Sequence, residues 1–385
     1  MIIGMAGCKT GNISLEDNNM NNDDQPYWGI YLNYITRGDG GYYYIEQDLI
    51  HFMQDDGQTV IVCNKADCQH NTEDCAAFIG KSLAQVAQTI GVIEGTGYNR
   101  QNIYYHNGKI YVIYNDKSGT GLSYLEEIAG DGSYRKRLFD IGDYSVAYGL
   151  VFHDDSVYIY MREGGVSGFT ENTATIRKRT LDGKQDEIVY SYTDKGAIIY
   201  ALKSYGNNLY FLEESYDVSK LADGSRDVLF KRKGLFRYEY ATGNVLNILE
   251  NDISDYTFDI TNGDLYYYVC DDGLYKQKLN QSAAEKIYSA EDKITNVSQI
   301  SYMNGYICVS NDMFLPYYGI YPDESCLYIL DNTGKVINKI STELQEHDRA
   351  IVLFGDKNKI FVNGEKGIYY AKLDNNSNYN WEKVE

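Results

Sequence analysis

The chain has 385 residues, of which 35 are basic and 55 acidic, for a net charge of −20. This balance argues against nucleic acid or anionic lipid as the main partner, because phosphate binding needs a basic surface. Only 3 prolines occur beside 36 glycines and 40 tyrosines, which favours many short strands joined by tight turns, and no apolar run reaches the roughly 18 residues of a membrane-spanning helix.

The first eight residues, MIIGMAGC, end in a motif that resembles a bacterial lipobox. Small residues precede Cys8, and a polar run follows it, as expected of a tether between a lipid anchor and a folded domain. The basic region and long apolar segment of a complete signal peptide are missing. We therefore predict that residues 1–8 are a truncated lipoprotein signal with Cys8 as the lipidation site and that residues 9–26 are a tether. A chance match is the alternative.

Residues 27–385 carry two strand signatures that alternate along the chain, each in seven copies. The first is a turn followed by an aromatic-rich strand, and its copies begin at Gly40, Asn107, Asp155, Asn207, Asn262, Asn304 and Lys357. The second is a strand that ends in an Asp, Asn or Gly turn, and its copies begin at Leu49, Leu122, Ile176, Leu235, Leu274, Leu327 and Ile368. An internal repeat of this kind predicts a repeat architecture.

A further apolar run precedes each pair of signatures and another follows it, so that one repeat holds four strands, A to D. A single four-stranded meander cannot bury both faces, whereas seven of them arranged around an axis can. We therefore predict an all-β fold, a seven-bladed β-propeller of four-stranded antiparallel blades, with six or eight blades as the alternatives. A β-sandwich is disfavoured because sandwiches lack a fixed four-strand period.

The A–B and C–D turns of such a propeller lie on one face and the longer connections on the other. The first long segment is a Cys-rich insertion at residues 64–99, predicted to be partly helical from the spacing of Leu83, Val86, Ala87 and Ile90. Three loops follow it on that face, at residues 163–174, 215–233 and 311–324. Long loops on a rigid scaffold are where binding sites usually lie.

The last of these loops, NDMFLPYYGIYPDE, concentrates four aromatic side chains: Phe314, Tyr317, Tyr318 and Tyr321. Rings held between two prolines suit stacking on a sugar or gripping a peptide. Packing over the blade edges as a local core is the alternative. We take these four residues as candidate ligand-binding side chains.

Three of the seven cysteines cluster with a histidine in the pattern C-x4-C-x-H-x4-C, formed by Cys63, Cys68, His70 and Cys75. Three thiolates and an imidazole make a closed structural zinc set. On an exported protein, two of the three cysteines would instead form a disulfide. Free thiols are the third possibility, and the spacing alone leaves all three open.

The sequence shows none of the common catalytic signatures that we sought: the G-x-S-x-G elbow, the H-E-x-x-H zinc motif and the P-loop. A glycosidase would need two carboxylates aimed at one bond. Asp259 is the clearest acid on a predicted A strand. These observations favour a protein without catalytic activity.

The tether behind a lipobox-like Cys8, the tyrosine-rich repeats and the C-x4-C-x-H-x4-C segment together resemble the propeller lipoproteins of Gram-positive anaerobic bacteria. Those proteins carry domains of unknown function related to low-density-lipoprotein-receptor-type β-propellers. The resemblance covers about residue 27 to the C-terminus. It implies a propeller anchored by lipid to the outer side of the plasma membrane, and it supplies no catalytic residues.

We therefore expect a non-catalytic cell-surface binding module that uses its loop-rich face for a glycan or a peptide. A glycan-active hydrolase or lyase is one alternative, and a scaffold for envelope proteins is another. A structural zinc ion at the Cys/His cluster is the one cofactor that the sequence suggests.

Overall fold

The seven sequence repeats form seven four-stranded antiparallel sheets, each a meander in chain order. The computed structural model describes residues 35–46, 48–79, 103–115, 122–143, 150–163, 170–220, 226–249, 253–269, 272–289, 299–303, 306–310, 326–341, 343–345, 348–349, 351–355, 359–364, 367–372 and 381–384. The fold is a seven-bladed β-propeller, as the repeat predicts.

The first three blades contain strands of 3 to 10 residues. They are β1 (Ile35–Gly38), β2 (Gly41–Glu46), β3 (Leu49–Gln54) and β4 (Thr59–Ile61); β5 (Ile103–His106), β6 (Lys109–Asn115), β7 (Leu122–Ala129) and β8 (Arg135–Asp143); and β9 (Leu150–His153), β10 (Ser156–Glu163), β11 (Glu171–Thr180) and β12 (Asp186–Lys195).

The next three blades follow the same order. They are β13 (Ile198–Tyr205), β14 (Asn208–Lys220), β15 (Arg226–Glu239) and β16 (Val245–Leu249); β17 (Ile253–Thr261), β18 (Asp264–Val269), β19 (Gly273–Lys278) and β20 (Ala284–Ser289); and β21 (Gln299–Met303), β22 (Tyr306–Ser310), β23 (Cys326–Leu330) and β24 (Val336–Ser341).

A two-stranded sheet that the sequence did not predict separates blade 6 from blade 7. It consists of β25 (Glu343–Gln345) and β26 (Asp348–Arg349). Blade 7 then comprises β27 (Ile351–Gly355), β28 (Lys359–Gly364), β29 (Gly367–Lys372) and β30 (Glu382–Lys383). All four strands of this blade come from the C-terminal end of the chain, so the blade is built without a strand from the first repeat.

The tight A–B turns explain why the strands reverse where they do. Asn107 and Gly108 have φ angles of 49° and 76°, and Asn262 and Gly263 have 49° and 74°. Two successive residues with positive φ match a type I′ turn, whose twist suits a β-hairpin and which favours Asn-Gly. These dipeptides therefore place the A–B turns of blades 2 and 5 from local sequence alone.

The first strand of each blade lies innermost. Neighbouring first strands contact one another in the pairs β1/β5, β9/β13, β13/β17, β17/β21 and β27/β1. The last of these pairs closes the ring. Around it, Tyr42 and Tyr44 of blade 1 share one buried cluster with Ile360, Phe361 and Val362 of blade 7.

Two predicted loops contain strand residues that the sequence did not predict. The segment 215–233 of blade 4 forms a long hairpin, because β14 continues to Lys220 and β15 begins at Arg226. In blade 3, β11 begins at Glu171, which shortens the glycine-rich loop that we expected to reach residue 174. Alternating residues on both sides of each turn extend the ladders beyond the blade body.

The described residues include no helix of the length and apolar character needed to cross a membrane. The predicted helix around residues 83–90, the lipobox-like segment and the tether all lie outside the described residues.

Candidate functional site

The structure brings together the four residues of the predicted Cys/His cluster. One ligand atom from each of Cys63, Cys68, His70 and Cys75 lies within 4.8 Å of the other three. His70 Nδ1 lies 3.3 Å from Cys75 Sγ. The three cysteines carry no disulfide in this structure. The quartet therefore lies within metal-binding distance.

Backbone amides hydrogen-bond to two sulfur atoms of the quartet, those of Cys63 and Cys75. Burial alone would raise the pKa of Cys63, but hydrogen bonds from the backbone of Lys65 and Ala76 and from the two neighbouring thiols lower it overall. Burial raises the pKa of Cys75 to about 11, and the backbone of Ala77 and Phe78 partly offsets that rise. N–H groups aimed at sulfur favour the thiolate form, which is the form that binds metal.

The residues after the quartet pack between blades 1 and 2. Cys75, Ala76, Ala77 and Ile79 are buried in one cluster with apolar residues of both blades. The Ile50 amide donates to Ala77 O over 2.9 Å, and the Ile79 amide donates to Asp48 O over 3.0 Å. The described part of the insertion is therefore an inter-blade element that pairs with the edge of β3.

Blade 2 holds the same segment from the other side. The Tyr114 hydroxyl donates to Glu73 Oε1 over 2.5 Å, and Arg135 Nη1 donates to Phe78 O. Arg135 is itself paired with the buried Glu126. Residues 73–79 thus connect blade 1 to the B and D strands of blade 2.

The other predicted site residues lie outside the described part of the chain. These are the aromatic candidates Phe314, Tyr317, Tyr318 and Tyr321 and the lipidation candidate Cys8. Their roles stay predictions.

A polar groove of about 520 Å³ lies between blades 2 and 3, where the sequence predicted no site. Its walls are the A–B turns of both blades, the C–D turn of blade 3 and parts of strands β6, β7 and β8 of blade 2. The lining residues are Asn107, Lys109, Tyr111, Glu127, Lys136, Asp155, Thr180, Leu181, Asp182, Lys184 and Gln185. Because A–B and C–D turns share one face of a meander, the groove opens on the face opposite the predicted loops.

The floor of the groove is a closed hydrogen-bond network around Glu127. Its carboxylate accepts from Lys109 Nζ at 3.0 Å and from the hydroxyls of Tyr111 and Tyr134 at 3.2 and 2.8 Å. Burial alone would raise the pKa of Glu127, but these partners, Lys109 first, lower it below its usual value. Glu127 is therefore held as an anion that positions the rigid floor.

The rim of the groove is charged and pre-shaped. Asp182 Oδ1 accepts from the Thr180 hydroxyl at 2.7 Å and from the Lys184 amide at 3.0 Å, which fixes the turn. The Leu181 amide donates to Asp155 O over 2.8 Å and ties that turn to the neighbouring A–B turn. Exposed Lys136 and Lys184 therefore stand beside exposed Asp155 and Asp182 on a stiff frame.

A sequence signal for this groove exists in hindsight. Blade 2 has the turn Asn107-Gly108-Lys109 and blade 3 the turn Asp182-Gly183-Lys184, each placing a lysine directly after a tight turn. That the two turns are neighbours depends on how the blades are arranged, and strand periodicity does not report it.

Asp259, the acid that we singled out on a predicted A strand, is buried and forms an ion pair with Lys203 of the adjacent blade. It also accepts from the Ile260 amide over 2.8 Å. Both residues lie on innermost strands, β17 and β13. The pair joins blades 4 and 5 beside the central channel.

No protein-family model matches this chain, and no curated protein matches it. Solved structures resemble its fold. One belongs to a structural and mechanistic analysis of two prolyl endopeptidases, with a TM-score of 0.52 and 10% identity over 91% of this chain. This chain spans about half of that protein, 47%.

Two further similar structures are a protease domain and the protein BamB. The β-propeller domain of the Trilobed protease from Pyrococcus furiosus has a TM-score of 0.46 and 8% identity, over 93% of this chain and 96% of that one. BamB from Moraxella catarrhalis has a TM-score of 0.45 and 12% identity, over 89% of this chain and 95% of that one. At these identities the likeness concerns the fold alone.

Proposed function

We propose that this protein is a non-catalytic binding module that holds a peptide segment in the groove between blades 2 and 3. The preformed groove carries the proposal: about 520 Å³ lies within the size range of ligand sites, roughly 300–1,000 Å³. Its walls are strands and hydrogen-bonded turns of the propeller, so binding would require little further ordering of the protein.

The charges of the groove favour a peptide with side chains of both signs. Lys136 offers an ammonium group to carboxylates, and Asp155 offers a carboxylate to amines. Lys184 and Asp182 pair with each other at 2.8 Å and add one exposed charge of each sign. Complementary charge sets orientation and selects partners more than it adds affinity. A glycan that bears carboxylates would use only half of this pattern.

The ionisation of the described carboxylates supports binding over glycan hydrolysis. A glycosidase needs one carboxyl group whose pKa is raised so that it acts as the acid. The pKa values of Glu127 and Asp182 in the groove are both lowered. Glu46, whose pKa burial raises, lies in blade 1 and not in the groove.

Binding measurements on a library of charged peptides and a glycan array would test this proposal. We expect Lys136→Ala with Lys184→Ala to weaken the best peptide by about tenfold or more, since each 1.4 kcal/mol is a factor of ten. Lys335→Ala is the matched control, because Lys335 follows the corresponding C–D turn of blade 6.

Two outcomes would contradict the groove as the binding site. One is an affinity unchanged by the double substitution. The other is binding lost only when Phe314, Tyr317 and Tyr321 are replaced by Ala, which would move the site to the aromatic loop. If the protein bound glycans on the array but no peptide of the library, the proposal of a peptide ligand would be wrong.

We also propose that the module is exported and held at the outer surface of the plasma membrane by a lipid on Cys8. The lipobox-like residues before Cys8 and the polar run after it support this placement. With an intact signal peptide in a Gram-positive host, labelled fatty acid should appear on the protein and disappear in Cys8→Ser. Label that persists in Cys8→Ser would show that the anchor is elsewhere or absent.

The Cys/His quartet belongs to this proposal as a structural metal site. Three thiolates and one imidazole fill a tetrahedral shell and leave no position for a substrate.

A further inference from the structure

We infer that the quartet of Cys63, Cys68, His70 and Cys75 binds one zinc ion, which clamps residues 63–79 between blades 1 and 2. The inference concerns the fold and stands independently of the groove. Its starting point is that four donor atoms of the types that zinc prefers lie within 4.8 Å of one another.

The distances between the ligand atoms of the quartet are close to those around a tetrahedral zinc ion. Zinc bonds of about 2.3 Å to sulfur and 2.0–2.1 Å to nitrogen place neighbouring ligand atoms about 3.6–3.8 Å apart. His70 Nδ1 and Cys75 Sγ are 3.3 Å apart, and no pair exceeds 4.8 Å. Movements of about an ångström or less would therefore complete the tetrahedron.

The donor set selects among metals. Soft thiolates with one imidazole in tetrahedral geometry indicate zinc, whereas calcium and magnesium take oxygen ligands. Three thiolates on Zn²⁺ leave a net charge of −1. The backbone amides of Lys65, Ala76, Ala77 and Phe78, which hydrogen-bond to Cys63 and Cys75, would stabilise that charge.

Two residues between or at the ligands have backbone conformations that are costly for residues with a side chain. Asp67 and His70 both adopt left-handed conformations, with φ angles of 58° and 53°. Such conformations cost side-chain-bearing residues about 1–2 kcal/mol and persist where the surroundings determine them. The two positions flank Cys68, and His70 is itself one of the four ligands, so coordination of one ion would account for both.

The zinc ion would hold residues 77–79 against the start of strand β3, as the strand register indicates. Strand β4 pairs with His51, Phe52 and Met53, and the Val62 amide after it donates to Ile50 O over 3.0 Å. Leu49, the first residue of β3, lies beyond this pairing. Phe78 forms a bridge with Leu49 there, flanked by the Ala77 and Ile79 hydrogen bonds. A zinc ion at Cys75 would hold this short segment on the exposed edge of blade 1.

The test is metal analysis of the whole protein purified under a non-chelating reductant and dialysed after incubation with equimolar zinc. We expect one zinc per chain, with three sulfur and one nitrogen neighbours by X-ray absorption. The zinc should be lost in Cys68→Ser and in His70→Asn; Asn tolerates positive φ and so spares the turn. Cys308→Ala should retain zinc, because that buried cysteine lies in blade 6.

A rescue variant separates a lost ligand from a failed fold. His70→Cys should still bind one zinc, now with four sulfur neighbours. The site is overturned if the wild-type chain retains no zinc, if iron occupies it instead, or if protein isolated without added reductant or chelator carries a disulfide within the quartet.

The clamp is tested separately by hydrogen exchange before and after chelation. Amides of Ile50 and Ile79, which donate across the contact between this segment and blade 1, should exchange faster once zinc is removed, while those of blade 4 stay unchanged. If zinc leaves and these two amides exchange at the same rate, the ion binds but does not clamp the segment.

Discussion

Replacing Phe361 with Ala is expected to lower the free energy of unfolding by about 3–5 kcal/mol, the usual loss for a buried Phe. Phe361 of β28 is 1% exposed. Its ring lies 4.8 Å from the Tyr42 ring of blade 1 and 6.0 Å from the Tyr370 ring of its own blade. It therefore fills the seam between the last blade and the first.

This seam is where a propeller without a shared closing strand depends on side chains. In the described residues, β1 of blade 1 and β27 of blade 7 contact each other but belong to separate sheets. We therefore expect Phe361→Ala to raise hydrogen exchange in blades 1 and 7 as well as to shift the urea midpoint.

The matched control is Phe211→Ala, because Phe211 of blade 4 is also fully buried but packs at the seam with blade 3. It should cost a similar free energy without faster exchange in blades 1 and 7. Equal exchange in the two variants at the seam would mean that Phe361 contributes only ordinary packing and that the ring is closed by other contacts.

Replacing Arg135 with Met should cost about 3 kcal/mol, because it leaves the Glu126 carboxylate buried without its main partner. Arg135 Nε donates to Glu126 Oε2 over 2.5 Å, and the two side chains are only 12% and 6% exposed. Arg137 is 3.7 Å from Glu126 but half-exposed, so it replaces little of the lost interaction. Urea unfolding measures the loss.

A second substitution shows whether an unpaired buried charge or lost packing destabilises the Arg135→Met variant. Adding Glu126→Leu to Arg135→Met should recover most of the stability, since a buried ion pair can often be replaced by apolar residues. Lys184→Met breaks an exposed ion pair with Asp182 and should leave stability unchanged. If the double variant is no more stable than Arg135→Met, the contact of Arg135 with Phe78 O carries the effect instead.

Strand periodicity was sufficient to predict the blades, because each blade is built from local signals. Asn107-Gly108 and Asn262-Gly263 set their own turns through positive φ angles, and the alternating strands between turns pair with their sequence neighbours. The predicted count of seven is confirmed. Where the ladder continued past the expected loop, as in β14 and β15, the interpretation of charged residues as loop was wrong.

The sequence could predict one of the two candidate sites, the quartet, but not the other, the groove. The Cys63–Cys75 quartet could be predicted because all four residues lie within one short segment. The groove could not, because Lys136 and Asp155 come from different blades, and only the angle between the blades places them together. The predicted aromatic loop around Phe314 lies outside the described residues and stays a prediction.

The sequence by itself therefore determined the strand order, the number of blades and the composition of the quartet, because these depend on spacing along the chain. The tertiary structure alone decided which blades share the Cys-rich segment, which polar turns face each other and which charges pair across blades. Lys203 and Asp259 are 56 residues apart and meet only because the innermost strands of adjacent blades lie side by side. Contacts of this kind depend on how whole sheets pack against each other, which the periodicity of single strands does not predict.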